Sequence, residues 1–315
     1  TVLIAILLGI LMGNAFTPRP GMMIGLDFTQ QYILKLGIIF LGIRLSFEEF
    51  IKFGTTAIPL IIVCIIGVLI LIKLLIKKVP ISSKMSYLIA IGTSVCGATA
   101  IVATAPVINA KKTEIAYAIA NITLFGVIAM ILYPYFAEWY FEGEAINSGL
   151  FLGTSIHETS QVAAAGLIYD QQFNSPETLN VATVTKLIRN TFLVIMIPLF
   201  AFLYNRGEIK SEKYSILSIF PYFVIGFIGM IIVRNLGDQF FTTEKGNYEI
   251  WINLIEYIKI LATVFLTMAM AAVGISINLS ELKSMGYKPF VVGLIAAITV
   301  GIISLAYIEI STKLI

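Results

Sequence analysis

Apolar length governs what this chain can become. Ten apolar segments follow one another, at 1–16, 33–48, 55–78, 87–110, 113–140, 147–169, 178–204, 215–235, 254–278 and 287–312. Most reach the ~20 residues a helix needs to cross a bilayer, and the first two are short. No period of two survives over these lengths, so the pattern is helical throughout. Linkers rich in Pro, Gly, Asn or Lys separate the segments, at Thr17–Gly21, Lys77–Lys84, Glu142–Ser148, Asp170–Glu177, Tyr204–Lys213 and Gly237–Asn247. Only 12% of the residues are charged, about half the share of a soluble domain. The chain therefore reads as one all-α polytopic membrane domain over residues 1–315, with no polar stretch long enough to enclose a soluble core. Val2–Leu11 lacks a basic leader and an Ala-x-Ala cleavage site and is read as a helix. Cys64 and Cys96 both sit in apolar segments, which fits neither a disulfide framework nor a metal cluster. The net charge of +3 is spread over loops, so it speaks to membrane orientation and not to nucleic acid.

One phrase occurs twice inside these apolar segments. Gly92-Thr93-Ser94-Val95-Cys96-Gly97-Ala98-Thr99 returns as Gly153-Thr154-Ser155-Ile156-His157-Glu158-Thr159-Ser160. Glycine and hydroxyl residues interrupt helices, and interrupted backbone at membrane depth is tolerated only against protein or a water-filled cavity. Paired interruptions in corresponding halves point to a transporter binding site. The repeat extends at an offset of 61 over Ile91–Ala103 and Leu152–Ala164, and then matches Pro134 with Pro198. A second repeat, at an offset of 232, pairs Gly42-Ile43, Glu49 and Gly54 with Gly274-Ile275, Glu281 and Gly286. Segments 87–140 and 147–204 form the core repeat pair, and 1–78 and 215–312 are flanking helices.

Parity leaves two arrangements open. If all ten segments cross the membrane, the pair 33–48 and 254–278 is inverted while 87–110 and 147–169 are parallel. If 87–110 and 147–169 are re-entrant hairpins with the repeated phrase at their tips, every pair is inverted. Hairpins also gather Lys73, Lys77, Lys78, Lys84, Lys111, Lys112, Arg206, Lys210, Lys213, Lys283 and Lys288 on one face, with Arg19 and Lys35. The other face receives Glu138, Glu142, Glu144, Asp170 and Glu177. The cationic face, including the Lys73–Lys84 loop, is then expected to be cytoplasmic. The competing arrangement is a pair of broken spanning helices crossing at their unwound centres.

Each phrase ends where a new half-helix begins. Thr93, Ser94, Thr99, Thr154, Ser155, Thr159 and Ser160 are residue types that cap helix N-termini. Two facing N-termini would offer N–H groups and positive partial charge to a small anion, with Gly92, Gly97 and Gly153 admitting backbone close to it. Small residues also serve plain helix packing in membranes. His157 and Glu158 replace Cys96 and Gly97 in the second copy. Ionisable groups inside a membrane are costly and usually functional. Glu158 is the candidate proton-coupling carboxylate. His157, the only histidine, is of the type that titrates near neutral pH. Lys186 and Arg189 lie three apart on one helix face within 178–204 and are expected to balance the charge of Glu158 or of a substrate. Asn190 adjoins them, Gln161 closes the second phrase, and Asn121 sits at nearly equivalent depth in segment 113–140. Enzyme motifs fail. His157-Glu158-x-x-Gln161 lacks the second histidine of a zinc protease, and Val95 stands where a serine-nucleophile turn wants glycine.

At these residues the chain resembles the YeiH-type family, whose members carry the inferred label of sulfate exporters. The resemblance rests on the two Gly-Thr-Ser runs, most specifically His-Glu-Thr-Ser-Gln-Val, and on Lys186-x-x-Arg189-Asn190, and it covers essentially the whole chain. Grouping with bile-acid symporters and sodium/proton antiporters implies inverted repeats, discontinuous elements at the midplane and elevator-like alternating access. Family members often carry Asp at the position of Glu158, so a carboxylate is kept. Homodimers are common in that architecture. The expected function is secondary-active transport of a small sulfate-, sulfite- or sulfonate-like anion across the cell's inner membrane, coupled to a proton or sodium ion, without cofactor or bound metal. Cation/proton antiport, an uncoupled channel and a membrane sensor are the alternatives.

Overall fold

The computed structural model describes residues 2–16, 20–75, 82–205, 222–241, 248–277 and 287–314. The linkers containing Lys77, Arg206–Lys213 and Lys283, and the repeat partner Glu281, lie outside them. The described residues form helices and turns only. The helices are α1 (Val2–Ala15), α2 (Pro20–Phe28), α3 (Leu34–Leu41), α4 (Phe47–Leu75), α5 (Ser83–Ser94), α6 (Ala98–Thr104) and α7 (Lys112–Phe141). They continue with α8 (Ala145–Ser155), α9 (Thr159–Phe173), α10 (Pro176–Thr191), α11 (Leu193–Asn205), α12 (Phe223–Phe240), α13 (Tyr248–Ser276) and α14 (Tyr287–Leu314).

Among the described residues, seven stretches are long and apolar enough to cross a membrane, and Val2–Ala15 is a shorter apolar helix. One of the seven, Gly21–Arg44, starts well before the segment 33–48 read from hydropathy. A π-helical turn over Thr29–Ile33 joins α2 to α3. Gln30 there donates from Nε2 to Ser276 Oγ at 2.7 Å and to the Ala272 carbonyl at 3.1 Å. Its polarity is met by α13, so the helix runs on where hydropathy alone breaks off.

The two interrupted segments are helical hairpins, each with both ends at the same end of α7. For α5 and α6, Ser82 Oγ donates to Glu114 Oε1 at 2.5 Å and Lys84 Nζ to the Asn109 carbonyl at 2.6 Å. Both ends of that hairpin therefore sit at the N-terminus of α7. For α8 and α9, Tyr169 Oη donates to Glu138 Oε2 at 2.5 Å and to Ser148 Oγ at 3.3 Å, and Phe173 meets Tyr135 edge-on at 5.9 Å. That hairpin is based at the C-terminus of α7. Glu114 and Glu138 are 24 residues apart on α7, about 36 Å of helix, so the hairpins enter from opposite ends and meet between them. The chain turns from α7 into α8 through Glu142 and Gly143, at φ 53° and 81°.

Helices α1, α2, α3, α12 and α13 form one layer. Within it Gly9 and Gly13 of α1 lie so close to Ala271–Ile275 of α13 that a Cβ on Gly9 would stand 2.5 Å from the Ala271 carbonyl oxygen. Such small-residue approaches are how membrane helices associate. Helices α4 and α14 pack instead on α5, α7, α8 and α10 and complete a second layer that holds both hairpins.

Candidate functional site

The hairpin tips, Val95–Gly97 and Ile156–Glu158, meet beside the C-terminal half of α10. Each tip brings together the C-terminus of its incoming helix and the N-terminus of its outgoing one, so it carries negative and positive partial charge at once. The structure answers each with the opposite formal charge.

The C-termini of α5 and α8 are met by α10. Lys186 Nζ donates to the carbonyls of Val95 at 3.1 Å and Ile156 at 3.0 Å, and to that of His157. Arg189 donates from Nε to the Ser94 carbonyl at 2.8 Å, from Nη1 to the Thr154 carbonyl at 2.5 Å, and from Nη2 to the Thr93 carbonyl. Both side chains are 0% exposed, and each spans both hairpins. Among the described residues no direct ion pair joins them to Glu158, although Lys186 stands within electrostatic reach of it. Their donors are taken by helix-end carbonyls, which a buried cation needs as much as a carboxylate.

The N-termini are met by Glu158. It is the N-cap residue of α9, and Gln161 Oε1 accepts from the Glu158 N–H at 3.2 Å. Glu158 Oε1 accepts from the Ala98 N–H at 2.9 Å, at the first residue of α6. The residue that begins α9 therefore holds the start of α6 with its carboxylate. This corrects the capping expected of the hydroxyls. Thr93, Ser94, Thr154 and Ser155 lie in the last turns of α5 and α8, and Gly97 is the residue before α6.

The glycines divide the same way. Gly97 has φ +58°, and a Cβ there would stand 2.5 Å from Glu158 Cγ, so this glycine brings backbone to the carboxylate. Gly92 faces Ile101 and Ile122, and Gly153 faces Thr185 and the Ala182 carbonyl; both serve packing. Gly97→Ala is expected to cost about 1–3 kcal/mol, from backbone strain and crowding together, and Gly92→Ala less, because only isoleucine side chains meet it. Thermal unfolding of the two variants side by side checks this; equal melting points would contradict the assignment.

The remaining candidates fall into place or out of it. Thr159 Oγ1 accepts from Asn190 Nδ2 at 2.8 Å, and Gln161 Nε2 donates to the Thr123 carbonyl at 3.3 Å. Cys96 and Ser160 are buried at the tips. Asn121 is not brought to the tips: its Nδ2 donates to the Pro289 carbonyl of α14 at 2.7 Å. His157 is 1% exposed, and neither ring nitrogen has a hydrogen-bond partner. Ser304 of α14 was missed by sequence reasoning; its hydroxyl lies 2.7 Å from Thr154 Oγ1. A lone serine in the apolar run around Gly301–Leu305 was the available signal. Thr99 is exposed, and Ala98, Glu158 and Thr159 are partly so, whereas Thr93, Ser94, Ser155, Lys186 and Arg189 are buried. The open side of the site is thus the N-terminal side, with the two cations behind it.

Fold and site define a polytopic α-helical membrane protein built around two hairpins whose tips meet on oppositely charged side chains. A family model described as Conserved hypothetical protein 698 matches residues 1–293. The chain belongs to that family, the UPF0324 membrane proteins, as the resemblance to YeiH indicates. It is 36% identical over 301 residues to a UPF0324 membrane protein of Streptococcus agalactiae serotype V, covering 95% of this chain and 86% of that one. It is 34% identical over 309 residues to one from Fusobacterium nucleatum, covering 95% and 88%. With the UPF0324 inner membrane protein YeiH of Escherichia coli K12 it shares 32% identity over 301 residues, covering 93% and 80%. No solved structure matches the chain.

Proposed function

We propose that this protein is a secondary-active transporter of a small oxyanion of the sulfate, sulfite or sulfonate class, coupled to protons through Glu158. The carrying observation is the position of the Glu158 carboxylate. It sits on the open side of the tips, on the residue that begins α9, and accepts the N–H of the first residue of α6. In this reading the substrate anion takes the N–H groups that begin the two outgoing helices, and the glutamate is the anion that stands there when substrate is absent. Two anions cannot share them, so substrate enters when Glu158 takes up a proton, and the two travel together. Lys186 and Arg189 stay on the helix-end carbonyls and supply positive field from behind. The hydroxyl of Thr159, held by Asn190, and that of exposed Thr99 are the side-chain donors at hand. His157 has no part in this step.

The second reading, cation/proton antiport, draws on the same partly exposed carboxylate. It is weaker because a cation there would face N–H groups and two buried cations. Orientation follows from charge. Lys84, Lys111 and Lys112 flank the base of the α5–α6 hairpin, while Glu138, Glu142, Glu144 and Asp170 flank that of α8–α9. By the positive-inside rule the α5–α6 base faces the cytoplasm. Inverted repeats and alternating access belong to this proposal too.

The test is thermal stability of the purified protein against sulfate, sulfite, thiosulfate, a small sulfonate, sodium and lithium at two pH values. A ligand of the folded state raises the melting temperature by mass action. Oxyanion stabilisation that grows as pH falls is the expected result. Stabilisation by sodium or lithium alone, opposed by acid, would replace the proposal with the antiporter.

A further inference from the structure

The two layers differ in how they are held within and between themselves. The layer containing the hairpins is cross-linked by polar bonds at the tips and at both hairpin bases. The layer of α1–α3, α12 and α13 has its own, among them Gln30 to Ser276, the Arg234 Nη1 bond to the Ile43 carbonyl at 3.3 Å, and Asn14 to the Ile277 carbonyl at 2.8 Å. Between the layers the contact is largely apolar. It is made by α9 against α1, α3 and α13, and by α12 against α4, with rings Phe50 and Phe227 at 6.5 Å. One ion pair crosses it among the described residues. Arg44 Nη1 meets Asp170 Oδ2 at 3.1 Å, with side chains 13% and 18% exposed.

The surroundings make that pair consequential. Arg44 ends the helical run begun by α2, and Asp170 lies in the last turn of α9, the outgoing leg of the hairpin that carries Glu158. Lys259 of α13 stands within electrostatic reach of Arg44 and Arg234, with Glu256 on its own helix. Asp238 is already engaged by Arg234 at 2.7 Å and by Trp251 Nε1 at 2.8 Å. Among the described residues, Asp170 is thus the acidic group of the hairpin layer that forms an ion pair at this cationic corner. Arg44 Nε is buried without a partner, so the guanidinium is only partly satisfied even with Asp170 in place. The second sequence repeat adds an asymmetry: 232 residues after Arg44 stands Ser276, which bonds Gln30 and the Ala272 carbonyl inside its own layer. The related position offers no cation for a matching pair in another arrangement.

We propose that the Arg44–Asp170 ion pair is a latch that holds the hairpin layer against the other layer in the arrangement seen here. The proposal rests on the transporter reading, because a latch matters only if the layers move past one another. Sliding over an apolar surface leaves burial nearly constant, while a half-buried ion pair must be broken outright. Losing it removes a bias toward one arrangement, with no counterpart to bias the other.

The experiment measures distances between spin labels on genetically encoded residues at Leu132 in α7 and Tyr257 in α13, in the full-length protein reconstituted in lipid. Both positions are exposed, at 57% and 68%, one in each layer. Asp170→Asn and Arg44→Gln are each expected to shift the ratio of distance populations about fivefold away from the wild-type arrangement. The charge swap of Arg44→Asp with Asp170→Arg is expected to shift it back. Unchanged populations in both single variants would overturn the latch, as would a swap that behaves like the single variants. Sulfate-induced stabilisation is measured on the same samples. If it persists in variants whose distances do not change, the latch fails and the transporter reading stands; if it is absent in every sample, the transporter reading fails first.

Discussion

Arg189→Leu is expected to be the most damaging single substitution outside the deep apolar core. The guanidinium accepts nothing and donates to carbonyls of Thr93, Ser94 and Thr154, which end two different helices. Leucine fills much of the volume and supplies no donor. Three carbonyls would be left buried without their donor, and Lys186 alone would remain as countercharge to two converging helix C-termini. Removing one side of a buried charged network costs about 3–5 kcal/mol, and each orphaned group adds to it. Arg189→Lys should recover only part of this. An ammonium restores the charge, but it lacks the planar fork that reaches both hairpins at once. Thermal unfolding in detergent orders the three proteins as wild type, Lys, then Leu. A leucine variant as stable as wild type would mean that the tips are held by something other than Arg189.

Glu158→Gln is expected to uncouple the protein. Glutamine keeps an acceptor oxygen for the Ala98 N–H, so the tips should stay assembled. It removes the negative charge and the proton site together. Under the proposed function, sulfate binds only the fraction of wild-type molecules whose Glu158 is protonated, and apparent affinity scales with that fraction. Above the carboxylate's apparent pKa, wild-type affinity should fall about tenfold for each unit of rising pH. The variant should bind sulfate with no such slope, exchange it across a membrane, and fail to accumulate it against a gradient when driven by protons. Calorimetry with sulfate at pH 5.5 and 7.5 reads the first effect, and counterflow in vesicles the second. A variant that kept the wild-type slope would move the coupling proton elsewhere.

Much of this was legible in the chain before any coordinates. Apolar length gives the polytopic helical class, and the repeated Gly-Thr-Ser phrase marks where two elements are interrupted and meet. The oppositely charged linkers at the two ends of segment 113–140 correspond to the two hairpin bases. What escaped the sequence is which atoms answer which. The run Thr-Ser-Ile-His-Glu-Thr does not say where one helix ends and the next begins, so hydroxyls were expected at caps that Gly97 and Glu158 occupy. Lys186 and Arg189 read naturally as partners for a carboxylate. Carbonyls carry no letter in a sequence, and a helix C-terminus that needs a cation becomes visible only when two of them converge. Asn121 failed for a related reason: depth along a helix says nothing about the face, and its face belongs to α14. Gly21–Arg44 was cut short because Gln30 and Gln31 look like a linker until Gln30 is seen bonded to α13.

Helix α7 acts on the site from its two ends. Glu114 and Glu138 anchor one hairpin base each, so the gap between the tips is the length of one stiff helix minus the depths of two hairpins. The site is in effect gauged by a caliper whose beam is α7. A caliper changes its reading only when the beam bends, and the one built-in weakness is Pro134, which lies inside α7 and leaves an unmade backbone bond there. Small differences in how the two tips approach each other therefore trace to a position on α7 that lies near its C-terminal end, away from the tips.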